Sequence, residues 1–531
     1  MKLKHQILLL FILAGNAVSF AQESELINSL KTFQTFIYQV DRFYVDSLDT
    51  PDLVEDGMRS ILKDLDPHSV YIPKEEVKRM NEPLQGNFEG IGVQFNILHD
   101  TILVVATIAG GPSEKLGIQA GDKIISIEDT VVAGIGIQNS DVIAKLRGKK
   151  GTQVRVQMKR KGVRKLIDFT ITRDKIPIFS VDAGYMVSPK TGYIKINRFG
   201  ATTMDEFHQQ FSELNAAGME NLILDLQGNG GGYLNTAFDL ADEFLEAGKM
   251  VVYTQGKAFP KEELVTKKQG SFEKGRLVVL IDESSASASE IVSGAVQDWD
   301  RGLIIGRRSF GKGLVQRGYN LPNGAQFRLT VSRYYTPSGR SIQKPYNDGI
   351  EAYLKEKYER YNTGELFSAD SISFPDSLKY ETGNKRIVYG GGGIMPDVFV
   401  PLDTTNTSEF FSVLVRKGIL NQFTLTYAND NRKKMLKKFP TIEAFISDFD
   451  VNTLIPEIQA YVDNEGIKWD EKGFATSKAW IMTRTKAFIA RNLFDTEAFY
   501  RVINELNESL IEALRLIEGK EYDEFKLASK I

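Results

Sequence analysis

Two short, almost unbroken apolar runs limit the folds open to this chain more than any other feature: Leu222-Ile223-Leu224-Asp225-Leu226 and Leu277-Val278-Val279-Leu280-Ile281. Runs of this length without polar alternation suit strands buried on both faces, the usual condition of a parallel sheet. Stretches with helical spacing follow them, Leu234–Leu245 and 288–298, and then a further strand, Leu303-Ile304-Ile305. Upstream, the strand Tyr193-Ile194-Lys195-Ile196 precedes a helix from Met204 to Ala217. Strand–helix–strand order implies parallel pairing through right-handed crossovers, so residues 177–405 are expected to form an α/β core.

With 531 residues the chain has room for about three domains. Residues 22–86 read as helical, with Leu26, Leu30, Phe33, Phe36 and Val40 at helix spacing and a break at the turn Asp64-Leu65-Asp66-Pro67-His68-Ser69. From 87 to 176 the pattern changes to short strands and turns. The pair Gln94–Leu98 and Ile102–Ile108 precedes a turn-rich segment at 110–122, a strand Lys123–Ile127 and a helix around Asn139–Leu146. The basic stretch Lys159-Arg160-Lys161-Gly162-Val163-Arg164-Lys165 reads as a solvated hairpin tip. Residues 406–531 are strongly helical. There Phe499, Val502, Ile503, Leu506, Leu510, Leu514 and Ile517 are expected on one long amphipathic face.

A net charge of −3 gives no general attraction to nucleic acid. The absence of cysteine excludes disulfides, thiol nucleophiles and thiolate metal sites. Four histidines, none near acidic residues at ligand spacing, argue against a metal centre. At the N-terminus, Lys2 and Lys4 precede an apolar stretch, Ile7–Ala14, and Ser19-Phe20-Ala21 offers small residues before a cut at Gln22. Residues 1–21 therefore read as a signal peptide, and the mature protein is expected to be exported, soluble and periplasmic in a two-membrane host.

The chemistry is expected in Asp282-Glu283-Ser284-Ser285-Ala286-Ser287-Ala288-Ser289-Glu290-Ile291, where a buried strand ends and a helix begins. A serine at a helix N-terminus lies where unpaired N–H groups and the dipole favour developing negative charge. Alone, the segment reads first as a helix cap, with Ser287 or Ser289 as the capping residue. The stretch Phe310-Gly311-Lys312-Gly313-Leu314-Val315-Gln316 tips the balance, because a crossover helix returns Lys312 beside Ser287. A solvated lysine titrates near ~10.4 and is a poor base; lowering it to about 7 by burial costs roughly 4–5 kcal/mol. Such an amine can take the serine proton, with Gln316 orienting it without adding charge. Two lone S-x-x-K matches, at Ser271 and Ser341, lack companion motifs. His68, His99 and His208 come without a G-x-S-x-G elbow, and His68 in its Asp-Pro turn reads as structural.

Ser287, Lys312 and Gln316 stand in the order, spacing and context of the carboxy-terminal processing (tail-specific) peptidases, which this chain resembles over roughly residues 30–405. Ser-Ala-Ser-Ala-Ser-Glu and Phe-Gly-Lys-Gly are that family's active-site stretches. The segments 225–232, 334–343 and 393–397 are also similar to it. The resemblance implies Ser287 as nucleophile, Lys312 as general base and Gln316 as the lysine-positioning residue. It implies a multidomain α/β fold with a crotonase-like (ClpP/crotonase) core and an inserted PDZ domain at 87–176, whereas the C-terminal helical region, read from its pattern, is not supplied by the family's shared core. Peptide hydrolysis would run through an acyl-enzyme without cofactor or metal.

An acyl transfer needs two donors at the oxyanion, and Ala288 with Gly231 or Gly232 are the candidates. Phosphate binding by the loop 227–232 is the weaker reading, for no GxxxxGK[ST] pattern is present. Gly90-Ile91-Gly92-Val93 takes the place of a PDZ carboxylate-binding loop, whose N–H groups would hold an apolar C-terminus while the peptide adds a strand. Arg147, at the end of the helix beside that groove, is either a dipole-stabilising surface cation or a coupling residue. Expected partners are protein or peptide substrates with apolar C-termini and a regulatory adaptor protein, and the resemblance implies a second copy in a homodimer. Two rivals remain: a catalytically silent PDZ-type binding or scaffold protein, and a crotonase-like acyl-CoA enzyme.

Overall fold

A computed structural model describes residues 24–525 and 527; the expected signal peptide at 1–21 lies outside the described residues. The chain forms two compact units. One contains the residues up to Glu75 together with Gln316–Thr330, and the other contains Glu76–Val315 and everything from Val331 onward.

In the first unit a helix covers 24–43 and a second runs Thr50–Leu65, entered through Asp49, whose carboxylate accepts the Asp52 N–H at 3.3 Å. The chain stops being helical at Asp66 because Pro67 follows. The Asp66 carboxylate then accepts the N–H groups of His68 (2.8 Å) and Ser69 (2.9 Å) and the Ser69 hydroxyl (2.6 Å). The turn aims a strand, Val70–Ile72, which the helical reading of 22–86 did not include, into antiparallel pairing with 326–328. Leu62, Tyr71 and Ala325 form a small core there.

The second unit opens with a separate antiparallel body. Its sheet orders the strands Val93–Ile97, Ile102–Thr107, Lys123–Ile127, Gln153–Lys159 and Ile167–Thr172, and the helix Asn139–Leu146 closes one face. Entry and exit are zipped together, since Asn87–Gly90 pairs antiparallel with Asp174–Pro177.

The main sheet has six strands in the order Val181–Met186, Thr191–Ile196, Asn221–Asp225, Leu277–Ile281, Leu303–Gly306 and Val398–Phe399. Only the first pair is antiparallel. The two apolar runs divide their side chains by pleat. Leu222, Leu224, Leu277, Val279 and Ile281 face the helices Thr203–Ala216, Leu234–Asp242 and Ala288–Asp298. Ile223, Val278 and Leu280 face the opposite side, where Leu510, Ala513, Leu516 and Ile517 cover them.

The long amphipathic face expected over 499–517 is therefore corrected. The chain forms one helix at Thr496–Ile503, a 3-10 turn at Asn504–Leu506 and a new helix at Glu508–Glu518. Asn507 starts the second helix by accepting the Leu510 N–H (3.3 Å) on its side chain. The two helices serve different cores: Val502 joins the helical bundle built from Glu409–Arg416 onward, whereas Leu510 and Ile517 join the sheet. Tyr522 fastens the end by hydrogen bonds to both the N–H (3.0 Å) and the carbonyl (2.9 Å) of Leu277. Leu516→Ala is expected to destabilise the protein by about 2–5 kcal/mol in urea unfolding, as a core leucine and not a peripheral one.

Candidate active site

Ser287 stands at the start of the helix Ala288–Asp298 with φ 57 and ψ −111, a conformation L-residues seldom adopt. Its surroundings hold it there. The Ser287 N–H donates to Glu290 Oε2 at 2.7 Å, and its carbonyl accepts from the Tyr334 hydroxyl at 3.0 Å. The parallel strand pair Leu277–Ile281 and Leu303–Gly306 brings the following loop alongside, and the same two side chains hold Lys312. The Lys312 N–H donates to Glu290 Oε2 at 2.9 Å, and its carbonyl accepts from Tyr334. Glu290 Oε1 takes the Gly311 N–H (2.7 Å) and the Ser309 hydroxyl (2.6 Å). One carboxylate and one phenol thus fix the backbones of both residues to each other.

Glu290 and Tyr334 are 0% and 1% exposed, and neither was read from the sequence as part of the site. A signal was present, since Ser287 and Glu290 have the spacing of a capping box. Burial pushes the Glu290 carboxyl up against the pull of its four donors. Burial, with Glu290 nearby, lifts the Tyr334 phenol well above its ordinary value. The phenol therefore stays protonated as a donor.

The glycine loop closes the other side. A Cβ on Gly231 would lie 2.8 Å from Ser287 Cβ and 3.0 Å from the Ala288 nitrogen, so only glycine lets the loop touch the serine. Asn229 organises the contact: its carbonyl accepts the Ala286 N–H (3.0 Å) and the Ser289 hydroxyl (2.8 Å), and its side chain accepts the Gly231 N–H (2.8 Å). Of the three oxyanion candidates, Gly231 thus has its N–H engaged. Those of Gly232 and Ala288 have no acceptor among the described residues.

Behind Lys312 the helix Ile350–Asn362 sends Arg360 into the core, where its guanidinium donates to the carbonyls of Arg308, Ser309 and Phe310. Although burial pushes it up, Arg360 and Lys344 hold the Glu356 carboxyl down to about 2. A carboxyl depressed from its ordinary 4.5 stabilises the fold above that value, and the contribution fades as pH falls towards about 2. Urea midpoints are expected to drop over this acid range, and Glu356→Gln to show the shallower dependence.

Gln316 belongs to the first unit, where its side-chain amide donates to the His68 carbonyl. His208 is occupied by Glu243 (2.9 Å). No cluster of metal-ligating side chains occurs among the described residues.

The profile of peptidase family S41 matches residues 190–353, that of the PDZ domain residues 90–171, and a family of unknown function, DUF8443, residues 410–495. The carboxy-terminal processing protease CtpA of Bacillus subtilis is 33% identical over 62% of this chain and 70% of its own length. The carboxy-terminal-processing protease of Bartonella bacilliformis is 33% identical over 66% of this chain and 82% of its own. The chain belongs to peptidase family S41, the carboxy-terminal processing proteases. It is thus a serine-type peptidase carrying a PDZ domain. Among solved structures, the photosystem II D1 C-terminal processing protease is 25% identical, covering 70% of this chain and 92% of that one with a TM-score of 0.36.

In the PDZ domain of this S41 peptidase, the carbonyls of the loop residues Ile91 and Gly92 are engaged behind the loop, by Ser113 and by the Ile108 N–H. Gly90 ends the strand that pairs with 174–177, and Val93 begins the outer strand of the PDZ sheet. Arg147 is no simple surface cation. It pairs with Glu82 and lies 4.3 Å over the Phe88 ring, beside Gly90. Glu82 belongs to the helix Lys74–Gln85, whose Leu84 carbonyl accepts the Ala201 N–H (2.8 Å). Two residues before Ala201, Phe199 bridges to Gly232. A continuous set of contacts therefore runs from the PDZ loop to the glycine loop.

Proposed function

We propose that this S41 peptidase is an exported endopeptidase that cleaves proteins near or from their C-terminal tails with a Ser287/Lys312 pair. The observation that carries the reading is the shared anchoring of both backbones on Glu290 and Tyr334. Neutral Lys312 takes the Ser287 hydroxyl proton as Oγ attacks the scissile carbonyl. The N–H groups of Ala288 and Gly232 receive the oxyanion, Lys312 returns the proton to the leaving amine, and water then releases the acyl-enzyme. Gln316 is the lysine-positioning residue on the strength of the family resemblance.

The loop Gly90–Val93 holds the substrate carboxylate, the outer strand pairs with the tail, and an apolar last residue packs by Val93 and Phe95. Arg147, through Glu82 and the 199–201 turn, relays groove occupancy to the oxyanion loop. The layout is a signal peptide at 1–21, an N-terminal helical region to 86, the PDZ domain to 176, a crotonase-like core to 405 and a helical region beyond, of which Glu508–Glu518 is a layer of the core. Among the described residues no helix is long and apolar enough to cross a membrane.

The decisive comparison sets wild type against Ser287→Ala and Lys312→Ala on an unfolded protein with an apolar tail, and on the same protein with a charged tail. Both variants are expected to lose cleavage, and the charged tail to be cut more slowly by wild type. Cleavage surviving in Ser287→Ala removes the nucleophile assignment. Tail binding without any cleavage by wild type favours the silent scaffold.

A homodimer is the proposed assembly. Leu26, Leu30, Phe33 and Phe36 share one face of the helix over 24–43 and are 46–60% exposed. Leu30→Asp with Phe36→Asp is expected to halve the mass seen by light scattering.

A further inference from the structure

The outer PDZ strand Val93–Ile97 has two faces, and only one belongs to the tail-binding groove. Val93, Phe95 and Ile97 pack against the PDZ core, to which Val142 and Leu146 of the groove helix belong. Gln94 and Asn96 therefore point to the other side. On that side the helical region 410–495 approaches and leaves a cavity of about 400 Å³, lined by the strand residues Gln94, Phe95 and Asn96 and by Asn421, Arg491 and Asn492 among others.

Two of these side chains lack the partners their chemistry calls for. Asn492 is 5% exposed, and its Nδ2 has no hydrogen-bond partner among the described residues. Arg491 donates to Asn421 Oδ1 at 2.8 Å and lies 5.0 Å over the Phe488 ring and 5.7 Å from Phe499. It forms no ion pair with a carboxylate among the described residues. The one carboxylate at the cavity wall, Asp182, already accepts from Tyr500 (3.1 Å) and Asn197 (2.5 Å).

A peptide added to an edge strand sends successive side chains to opposite faces. If its last side chain enters the groove, the second and fourth from the end point towards the cavity. We propose that this cavity is a second reading site for the substrate tail. It takes an acidic side chain at the second or fourth position from the C-terminus, on Arg491 with Asn492 Nδ2 as a further donor. The inference rests on the proposed tail binding along Val93–Ile97. It gives the helical region, which lies outside the peptidase and PDZ matches, a part in choosing substrates.

Fluorescence anisotropy on full-length Ser287→Ala tests it, with peptides sharing an apolar last residue and carrying Glu, Gln or Lys at the second and fourth positions. The Glu peptide is expected to bind about two- to fivefold more tightly than the Gln peptide, the range of a partly exposed ion pair, and the Lys peptide most weakly. Arg491→Gln, checked for an unchanged melting temperature, is expected to bring the Glu peptide down to the Gln peptide. Equal affinities for all three, with an apolar last residue still preferred to a charged one, overturn the second site and leave the tail-reading groove intact. Indifference to the last residue as well overturns both.

Discussion

Replacing Glu290 by Gln is expected to lower kcat/KM for a tail substrate about 10²–10³-fold while leaving a folded enzyme. The carboxylate accepts four hydrogen bonds, and three come from the backbone of the two loops that carry Ser287 and Lys312. Glutamine keeps one oxygen and turns an NH₂ group towards donors that need an acceptor. Hydrogen bonds to a charged group contribute about 1.5–3 kcal/mol each, so losing one or two in the transition-state geometry covers that range. Tyr334→Phe removes a donor to two carbonyls and leaves nothing repulsive behind, so a fall of about tenfold is expected. Initial rates alongside near-ultraviolet circular dichroism separate lost alignment from lost fold. Full activity in Glu290→Gln would mean that the shared carboxylate does not set the distance between Ser287 and Lys312.

Gly232→Ala is expected to silence the enzyme, with at least about a 10³-fold loss, because it acts on the oxyanion site in two ways. The backbone has φ +153, and an added Cβ would lie 2.0 Å from the Phe199 carbonyl oxygen, so the loop must move. Moving it displaces the Gly232 N–H, one of the two donors proposed for the oxyanion. Gly228→Ala is the matched control. It also has positive φ (+71) but nothing within 4 Å of the added carbon, so about 1–2 kcal/mol of strain is expected with little effect on chemistry. Pre-steady-state burst amplitudes check both variants: Gly232→Ala is expected to lose the burst and Gly228→Ala to keep it.

What the chain disclosed in advance was local. The runs 222–226 and 277–281 could be read as doubly buried strands because their neighbours in sequence already lacked polar alternation. Lys312 could be placed near Ser287 because a right-handed crossover leaves few alternatives. What covers the second face of the sheet was not legible, since periodicity shows that a side chain is buried and not against what. The apolar positions from Phe499 to Ile517 gave one continuous stripe on paper. The break at Asn504–Asn507, where two helices turn to different cores, shows only when both cores are known. Glu290 was passed over for a related reason. Its spacing from Ser287 marks a helix start, but its second and third partners, at Lys312 and Gly311, come from a distant loop.

The helix Glu508–Glu518 also bears on timing. A chain is made from its N-terminus, so the strands flanking Ser287 and Lys312 exist long before the residues that shield Ile223, Val278 and Leu280. Until then one side of the sheet is bare, and the loops held at its edge have no settled support. A chain lacking that helix is expected to leave Ile223, Val278 and Leu280 in water and to lose the support of the loops that carry Ser287 and Lys312. Chains stalled before Glu508 should hydrolyse nothing, and activity should begin as that helix docks.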